Sequence, residues 1–285
     1  MERQTDTDAT PRFMGIWAHP DDEAFGTAGT MARAVSGGHP VAVVSATRGE
    51  AGKIADPALA TQENLGQVRE RELRNACAAV GVHDVSFLDY VDGHLHEADP
   101  YEAIGRVVRQ LRRFRPDVVM TFPANGGYGH LDHMAIHRFT LAALESAASD
   151  QQYPEQLAEG LRPHRVRKIY FGAFPRERMI AMREELRNQG QDFVPGGDAG
   201  TIPFEEMGTP MAEITTTIVL NDAEFDAKLR ALTAHATQMP ADSPWARATP
   251  EQTREFMGTE VFQLVAPPIS DQAYPTPEHD IFAGL

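Results

Sequence analysis

Trp17-Ala18-His19-Pro20-Asp21-Asp22-Glu23 joins two segments of different character. Before it, Phe13-Met14-Gly15-Ile16-Trp17 is an apolar run that reads as a short buried strand. After it, Ala24 to Val35 reads as a helix ending near Gly37-Gly38. One imidazole and three carboxylates therefore share a strand-to-helix turn, at the carboxyl end of the first strand. In an open α/β sheet that edge is where ligands bind. Asp and His on such a turn can hold a divalent metal, and a spare carboxylate can activate its water. A purely local reading competes: Asp21 or Asp22 as the helix N-cap, with Glu23 complementing the dipole. It accounts for one carboxylate and leaves His19 without a role.

Outward from this turn, apolar runs and helical patterns alternate. Pro40 to Ser45 reads as a strand, followed by a loop of charged and small residues from Thr47 to about Thr61. A helix is expected from about Glu63 to Val80, stopping at Gly81. Val85 to Leu88 is a third strand, Pro100 to Phe114 a helix, Asp117 to Phe122 a fourth strand, and Leu131 to Ala148 a helix. Four such alternations predict a Rossmann-like α/β fold: a parallel sheet flanked by helices, with right-handed crossovers. The loops after the strands then open on one edge, and three of them are rich in His, Asp and Glu. The second half is less regular. It offers a polar connector (Asp150 to His164), strands at Val166 to Phe171, Ile214 to Val219 and Glu260 to Val265, and helices at Arg176 to Asn188 and Ala223 to His235. Gln189 to Pro210 is Gly- and Pro-rich and reads as a mobile loop, and the Pro-rich tail from Pro267 as a segment lying across the surface or fraying. We expect a catalytic, metal-binding domain over residues 1–150 and a smaller α+β region over 151–285 that completes the site.

Composition narrows the functions. The 285 residues carry 41 acids against 26 bases, a formal charge of −15, which repels phosphate backbones and argues against nucleic-acid binding. Nothing approaches the roughly 18 consecutive apolar residues of a membrane span, and Met1 to Thr10 lack the apolar core of a secretory signal. A cytoplasmic location is expected. One cysteine, Cys77, excludes an internal disulfide and a multi-cysteine zinc knuckle, and it reads as a buried core residue. Any metal must be held by His and carboxylate.

A second cluster follows the fourth strand: Gly126-Gly127-Tyr128-Gly129-His130-Leu131-Asp132-His133-Met134-Ala135-Ile136-His137. Three histidines and an aspartate fall within eight residues, at the same sheet edge as His19, and helical neighbours three or four apart share a face. The glycines let the loop approach a ligand closely.

His19-Pro20-Asp21-Asp22-Glu23 and His130-Leu131-Asp132-His133 resemble the paired motifs of the LmbE-like, or PIG-L, family of zinc-dependent N-deacetylases. Thr47-Arg48-Gly49-Glu50-Ala51-Gly52 and Asp92-Gly93 are similar to family loops after the second and third strands, and Arg69-Glu70-Arg71-Glu72-Leu73 is similar to the family's Arg-x-x-Glu helix start. Gly126 to His130 and Ala234-His235-Ala236-Thr237-Gln238 resemble the branch of mycothiol deacetylases and mycothiol-conjugate amidases. The likeness is strong over residues 12–140 and weaker beyond. It implies one Zn2+ per chain on His19, Asp22 and His133, with a fourth position open, and Asp21 as general base. It also implies His130 as an imidazolium that stabilises the oxyanion or protonates the leaving amine, Asp132 orienting His130, and Tyr128 as oxyanion donor. By the same resemblance Arg69, Asp92 and Glu50 are candidate substrate contacts. His137 reads as structural, and His235 stands between a helix end favoured by the dipole and a place near the site.

The expected function is zinc-dependent removal of an N-acetyl group from an N-acetylglucosaminyl conjugate of the mycothiol or bacillithiol precursor type. The nearest alternative is an amidase acting on a thiol S-conjugate. A carbohydrate-binding protein of the same fold would lack Asp21 or a ligand, and all are present. Phosphoester hydrolysis at two metals would need more bridging carboxylates than these loops offer. The partner expected is a small molecule; homo-oligomerisation is left open.

Overall fold

β1, Phe13–Trp17, is buried along its whole length because both its faces are covered. Phe13 and Trp17 enter one apolar layer while Met14 and Ile16 enter the other, as the alternation of side chains along a strand requires. The computed structural model describes residues 10–188, 190, 194, 196, 200–239, 248–265 and 277–285.

Around β1 lie β2 (Val41–Thr47), β3 (Asp84–Tyr90), β4 (Val118–Thr121), β5 (Lys168–Ala173), β6 (Thr216–Val219) and β7 (Thr259–Leu264). They form one seven-stranded sheet in the order β3-β2-β1-β4-β5-β7-β6. Strands β1 to β5 are parallel, and β7 pairs antiparallel with both β5 and β6. The expected α/β class is found, with an antiparallel edge that strand patterning alone does not reveal. From β1 the chain moves outward to β2 and β3, then crosses back to β4 on the other flank of β1. The order reverses between β1 and β4. That reversal opens a crevice beyond the carboxyl ends of the two strands, where both histidine-bearing loops begin.

Among the described residues, eight helices flank the sheet: α1 (Asp22–Ser36), α2 (Leu65–Ala79), α3 (Pro100–Phe114), α4 (Leu131–Ala148), α5 (Pro154–Ala158), α6 (Arg176–Asn188), α7 (Asp222–Ala234) and α8 (Pro250–Met257). α5 lies inside the expected polar connector. On one face, Ala24, Ala28 and Met31 of α1 join Leu73 and Ala76 of α2 and Phe225, Ala231 and Leu232 of α7. On the other, Val107 and Leu111 of α3 pack with Ile136 and Ala143 of α4. Gly29 lets α1 sit tightly against the β6–α7 connection, since a Cβ there would stand 2.3 Å from Leu220. α7 ends behind the β1–α1 turn, where His235 meets Glu23. Residues 200–210 of the expected mobile loop bond to the second cluster, with Thr201 Oγ1 donating to Gly129 O at 2.6 Å and Gly208 N–H to Gly127 O at 2.7 Å. Most of 189–199 lies outside the described residues, as do Met1 to Ala9 and 266–276. The end of the tail does not fray: Glu278 accepts from Lys168 Nζ and Tyr170 Oη, both at 2.7 Å. Among the described residues, no helix is long and apolar enough to cross a membrane.

Candidate metal centre

After β1 the chain turns through His19 and Pro20 and enters α1 at Asp22. Asp21 adopts φ 114° and ψ −28°, a left-handed conformation that costs a side-chain-bearing residue about 1–3 kcal/mol. Three bonds hold this corner. The Asp21 N–H donates to Glu23 Oε2 at 3.0 Å, Arg69 Nη2 donates to Asp21 Oδ2 at 3.1 Å, and the same nitrogen donates to the Pro20 carbonyl. Neither aspartate caps α1 with its side chain. Instead, Asp22 Oδ2 accepts the His19 N–H at 2.7 Å, turning its carboxylate back over the imidazole.

Across the crevice, His130 is the N-cap of α4, and its Nδ1 accepts the Asp132 N–H at 3.2 Å. A neutral His130 then carries its proton on Nε2. His133 is buried one turn into the helix; its Nδ1 donates to the Gly126 carbonyl at 3.0 Å, and its ring stacks on Phe122 with centroids 3.9 Å apart. His19 is fixed likewise. Its Nε2 lies 2.9 Å from Asp92 Oδ1 and 3.4 Å from Asp132 Oδ2.

With those nitrogens engaged, His19 Nδ1 and His133 Nε2 remain, and they face each other at 3.2 Å. Asp22 completes a triangle, with Oδ1 3.3 Å from His133 Nε2 and Oδ2 3.6 Å from His19 Nδ1. Tetrahedral zinc with bonds of about 2.0–2.1 Å would set its ligand atoms about 3.3 Å apart. The donor set therefore fits such an ion in chemistry and in spacing. The groups His19, His130, His133 and His19, Asp92, Asp132 also bring ligand atoms within 4.8 Å of one another.

Electrostatics separates the neighbours. Burial pushes His133 down to about 4, leaving a neutral ring. Burial also pulls His19 down, but Asp132, Asp22 and Asp92 outweigh it and hold that imidazole well above its ordinary value; a metal ion would displace the proton at Nδ1. Asp22 stays well below the usual carboxylate range, because His133 and His19 outweigh its burial. Its neighbour Asp21 is pushed up to about 6, chiefly by burial and further by the charge of Asp22, against the pull of Arg69. Adjacent carboxylates with divergent proton affinities suit divided acid–base roles. Burial, then the His19 charge, holds His130 below its ordinary value. Tyr128, edge-on to His133 with centroids 5.0 Å apart, is raised by burial and by Asp22 and Asp21, and keeps its hydroxyl proton.

The remaining expected site residues are also at this edge, with particular partners. The Asp132 carboxylate accepts from Gly93 N–H at 2.7 Å and Leu95 N–H at 3.1 Å, and makes no hydrogen bond to His130 among the described residues. Arg69 is buried, and Nη1 donates to the Gly49 carbonyl at 2.8 Å. Gly49 is needed there: a Cβ would stand 2.1 Å from Arg69 Nη1, at φ +67°. Asp92 accepts the Ala51 N–H at 3.0 Å besides facing His19. Glu50 Oε1 accepts the Asp92 N–H at 3.1 Å, while its buried Oε2 has no partner among the described residues. His137 donates Nδ1–H to the Phe122 carbonyl at 2.8 Å, a structural contact. Two residues escape local reading. Glu23 is almost wholly buried, and its Oε1 meets His235 Nε2 at 2.7 Å. Glu72 holds Thr237, accepting its N–H at 2.8 Å and its hydroxyl at 2.6 Å. Only the apolar spacing around them could signal that these acids point inward.

Comparison with known proteins supplies the family. The family described as GlcNAc-PI de-N-acetylase (PIG-L) matches residues 14–144. Mycothiol S-conjugate amidase of Streptomyces coelicolor is 34% identical over 300 residues, covering 96% of this chain and 97% of that protein. The 1D-myo-inositol 2-acetamido-2-deoxy-alpha-D-glucopyranoside deacetylase of Thermobispora bispora is 34% identical over 310 residues, covering 97% and 99%. In fold the chain resembles N,N'-diacetylchitobiose deacetylase from Pyrococcus horikoshii, with a TM-score of 0.65 at 18% identity over 93% of this chain and 87% of that one. Two motif loops meeting at the sheet's reversal, and relatives alike over nearly their full length, lead to one conclusion: the chain belongs to the PIG-L family.

Proposed function

We propose that this chain is a zinc-dependent amide hydrolase that removes the N-acetyl group from an N-acetylglucosaminyl conjugate, a precursor of a small thiol. One observation carries the reading: His19 Nδ1, His133 Nε2 and the Asp22 carboxylate converge within 3.2–3.6 Å, beside a carboxylate that belongs to a different environment. Zinc held by His19, Asp22 and His133 would supply Lewis acidity to a water and to an amide carbonyl.

The chain's own residues do the rest. Asp21, kept off the donor triangle by its backbone and by Arg69, accepts a proton from the attacking water. Its burial raises its basicity. His130 presents Nε2–H and Tyr128 its hydroxyl, two donors for charge developing on the carbonyl oxygen. The proton held by Asp21 then passes to the departing nitrogen, giving acetate and a free amine. Asp92 and Asp132 keep the His19 ring oriented from behind. The unpartnered Glu50 Oε2 suits a sugar or aglycone hydroxyl.

A second reading has equal support in sequence: the amidase and the deacetylase relatives are each 34% identical to this chain. The two readings share a bond type, an amide, and differ in the substrate that the loops around the site admit. The deciding experiment supplies zinc-loaded protein with N-acetylglucosaminyl-inositol and, separately, with an S-conjugate of the mature thiol, and measures free amine. Release from the first supports the deacetylase. Release from the second alone selects the amidase, and release from neither refutes amide hydrolysis on glucosamine.

A further inference from the structure

Glu23 and His235 stand 212 residues apart in the chain and meet in the interior behind the β1–α1 turn. Both oxygens of Glu23 are engaged. Oε1 faces His235 Nε2 at 2.7 Å, and Oε2 accepts the backbone N–H of Asp21 at 3.0 Å. With Glu23 and His235 each only 1% exposed, neither can touch substrate. His235 is also not a solvated cation at the end of α7, since water does not reach it. Nor is it needed to hold its own segment. Thr237 is bonded twice to Glu72, the Ala55 N–H donates to the Thr237 carbonyl at 2.8 Å, and Gln238 Nε2 donates to the Lys53 carbonyl at 3.1 Å. With that segment anchored elsewhere, the imidazole bears on one thing, the Glu23 carboxylate. Glu23 in turn bears on Asp21, whose φ of 114° is unfavourable without support.

We propose that the Glu23–His235 pair is the positioning device for Asp21. His235 fixes the Glu23 carboxylate, Glu23 grips the Asp21 N–H, and the left-handed corner is held so that the base points away from the metal donors and toward the attacking water. The pair is a positioning element and not a catalytic one, and the inference rests on Asp21 being the base in the reading above. The C-terminal third thereby delivers one imidazole, from the end of α7, to the back of the first motif.

The test compares His235→Ala, His235→Gln and Thr237→Val. A glutamine amide can reach where Nε2 stands, and Thr237→Val weakens the same segment without touching Glu23. The first readout needs no turnover: hydrogen exchange and chemical shift of the Asp21 amide in metal-free, 15N-labelled protein. We expect about tenfold faster exchange in His235→Ala, near-normal exchange in His235→Gln, and no change in Thr237→Val. In zinc-loaded enzyme, kcat falls about 10–100-fold in His235→Ala, with KM and zinc content unchanged, and His235→Gln recovers most of it. Thr237→Val lowers the unfolding midpoint but leaves kcat alone. Should His235→Ala fail to fold, Glu23→Gln takes its place with the same expectations. An unmoved Asp21 amide with normal kcat overturns the proposal, as does an equal loss of kcat in Thr237→Val. If the wild type hydrolyses no amide, the functional reading fails, while the amide exchange still decides the pair.

Discussion

Asp21→Asn separates chemistry from structure at this site, because the two effects have opposite signs. Asparagine tolerates φ of 114° about as well as aspartate, and its carbonyl can still accept from Arg69. What is lost is a base, and general-base catalysis contributes about 10²–10⁴-fold. Turnover should fall by that factor, about 3–5 kcal/mol in barrier. Zinc content should not change, since the Asp21 carboxylate is bonded to Arg69 and stands outside the donor triangle. Stability of the metal-free protein should rise. Folding raises the Asp21 pKa from 3.8 to about 6, so the native state binds more protons than the unfolded one between those values, and stability falls as pH rises through that window. Above it the full penalty remains, about two pH units or roughly 3 kcal/mol. The variant is spared it, and should therefore be more stable near pH 7 and equal to wild type near pH 3. Urea unfolding of chelator-treated protein at both pH values, zinc analysis and initial rates check all three. A variant that retains more than a tenth of the activity refutes the base assignment. One that loses zinc puts Asp21 on the metal, and one no more stable at pH 7 shows that burial does not disfavour its charge.

Three further outcomes follow from particular contacts. Asp92→Ala should weaken zinc affinity about 10–100-fold by freeing the His19 ring, measured by competition with a chelator; a raised KM with unchanged affinity would instead make Asp92 a substrate contact. Glu260→Ala should destabilise the fold by about 3–5 kcal/mol, because Glu260 accepts from Gly29 N–H, from Thr30 and from buried Lys228 at 2.9 Å; denaturant unfolding reads it, and a loss under about 1 kcal/mol argues against a buried charge pair. Burial works against the Glu224 carboxyl, but Arg33 holds it below its ordinary 4.5. Its contribution to stability is complete above 4.5 and lost as pH falls through the lower folded value, so Glu224→Gln should flatten the acid limb of stability below pH 4.5, and an unaltered limb would show the pair contributes nothing.

Where punctuation is local, the sequence reads directly into the fold. β1, α3 and α4 have the expected bounds, because Pro100, the apolar spacing and the bounding polar residues act within a few positions. Pairing is not local. Nothing in Glu260 to Val265 tells that β7 enters between β5 and β6 and runs antiparallel to both. The site divides in the same way. That the His19 and His130–His133 loops share one sheet edge is legible from the strand–helix alternation, whereas the choice of His19, Asp22 and His133 as donors is what the family resemblance implies. Asp132 is expected on His130, but residues two apart on a helix do not face each other; the carboxylate turns to Gly93 and Leu95, and the Asp132 backbone N–H reaches the ring instead. Glu23 and Glu72 are illegible because their partners, His235 and Thr237, lie 212 and 165 residues away.

The two adjacent aspartates show why the turn outranks its composition. Asp22 is the first helical residue of α1, and its carboxylate folds back to the His19 N–H, beside the two free imidazole nitrogens. Asp21 is one residue earlier with a left-handed backbone, and its carboxylate reaches Arg69. In the proposed mechanism, two carboxylates on one cation would leave neither with basicity for water. The backbone thus turns the two carboxylates to different partners, as the proposed division of labour requires, and burial and charge then drive their proton affinities apart. Exchanging the environments would need Glu23, Arg69 and His235 to move as well. The chemistry of the first motif therefore depends on contacts from α2 and from the end of α7 as much as on its own five residues.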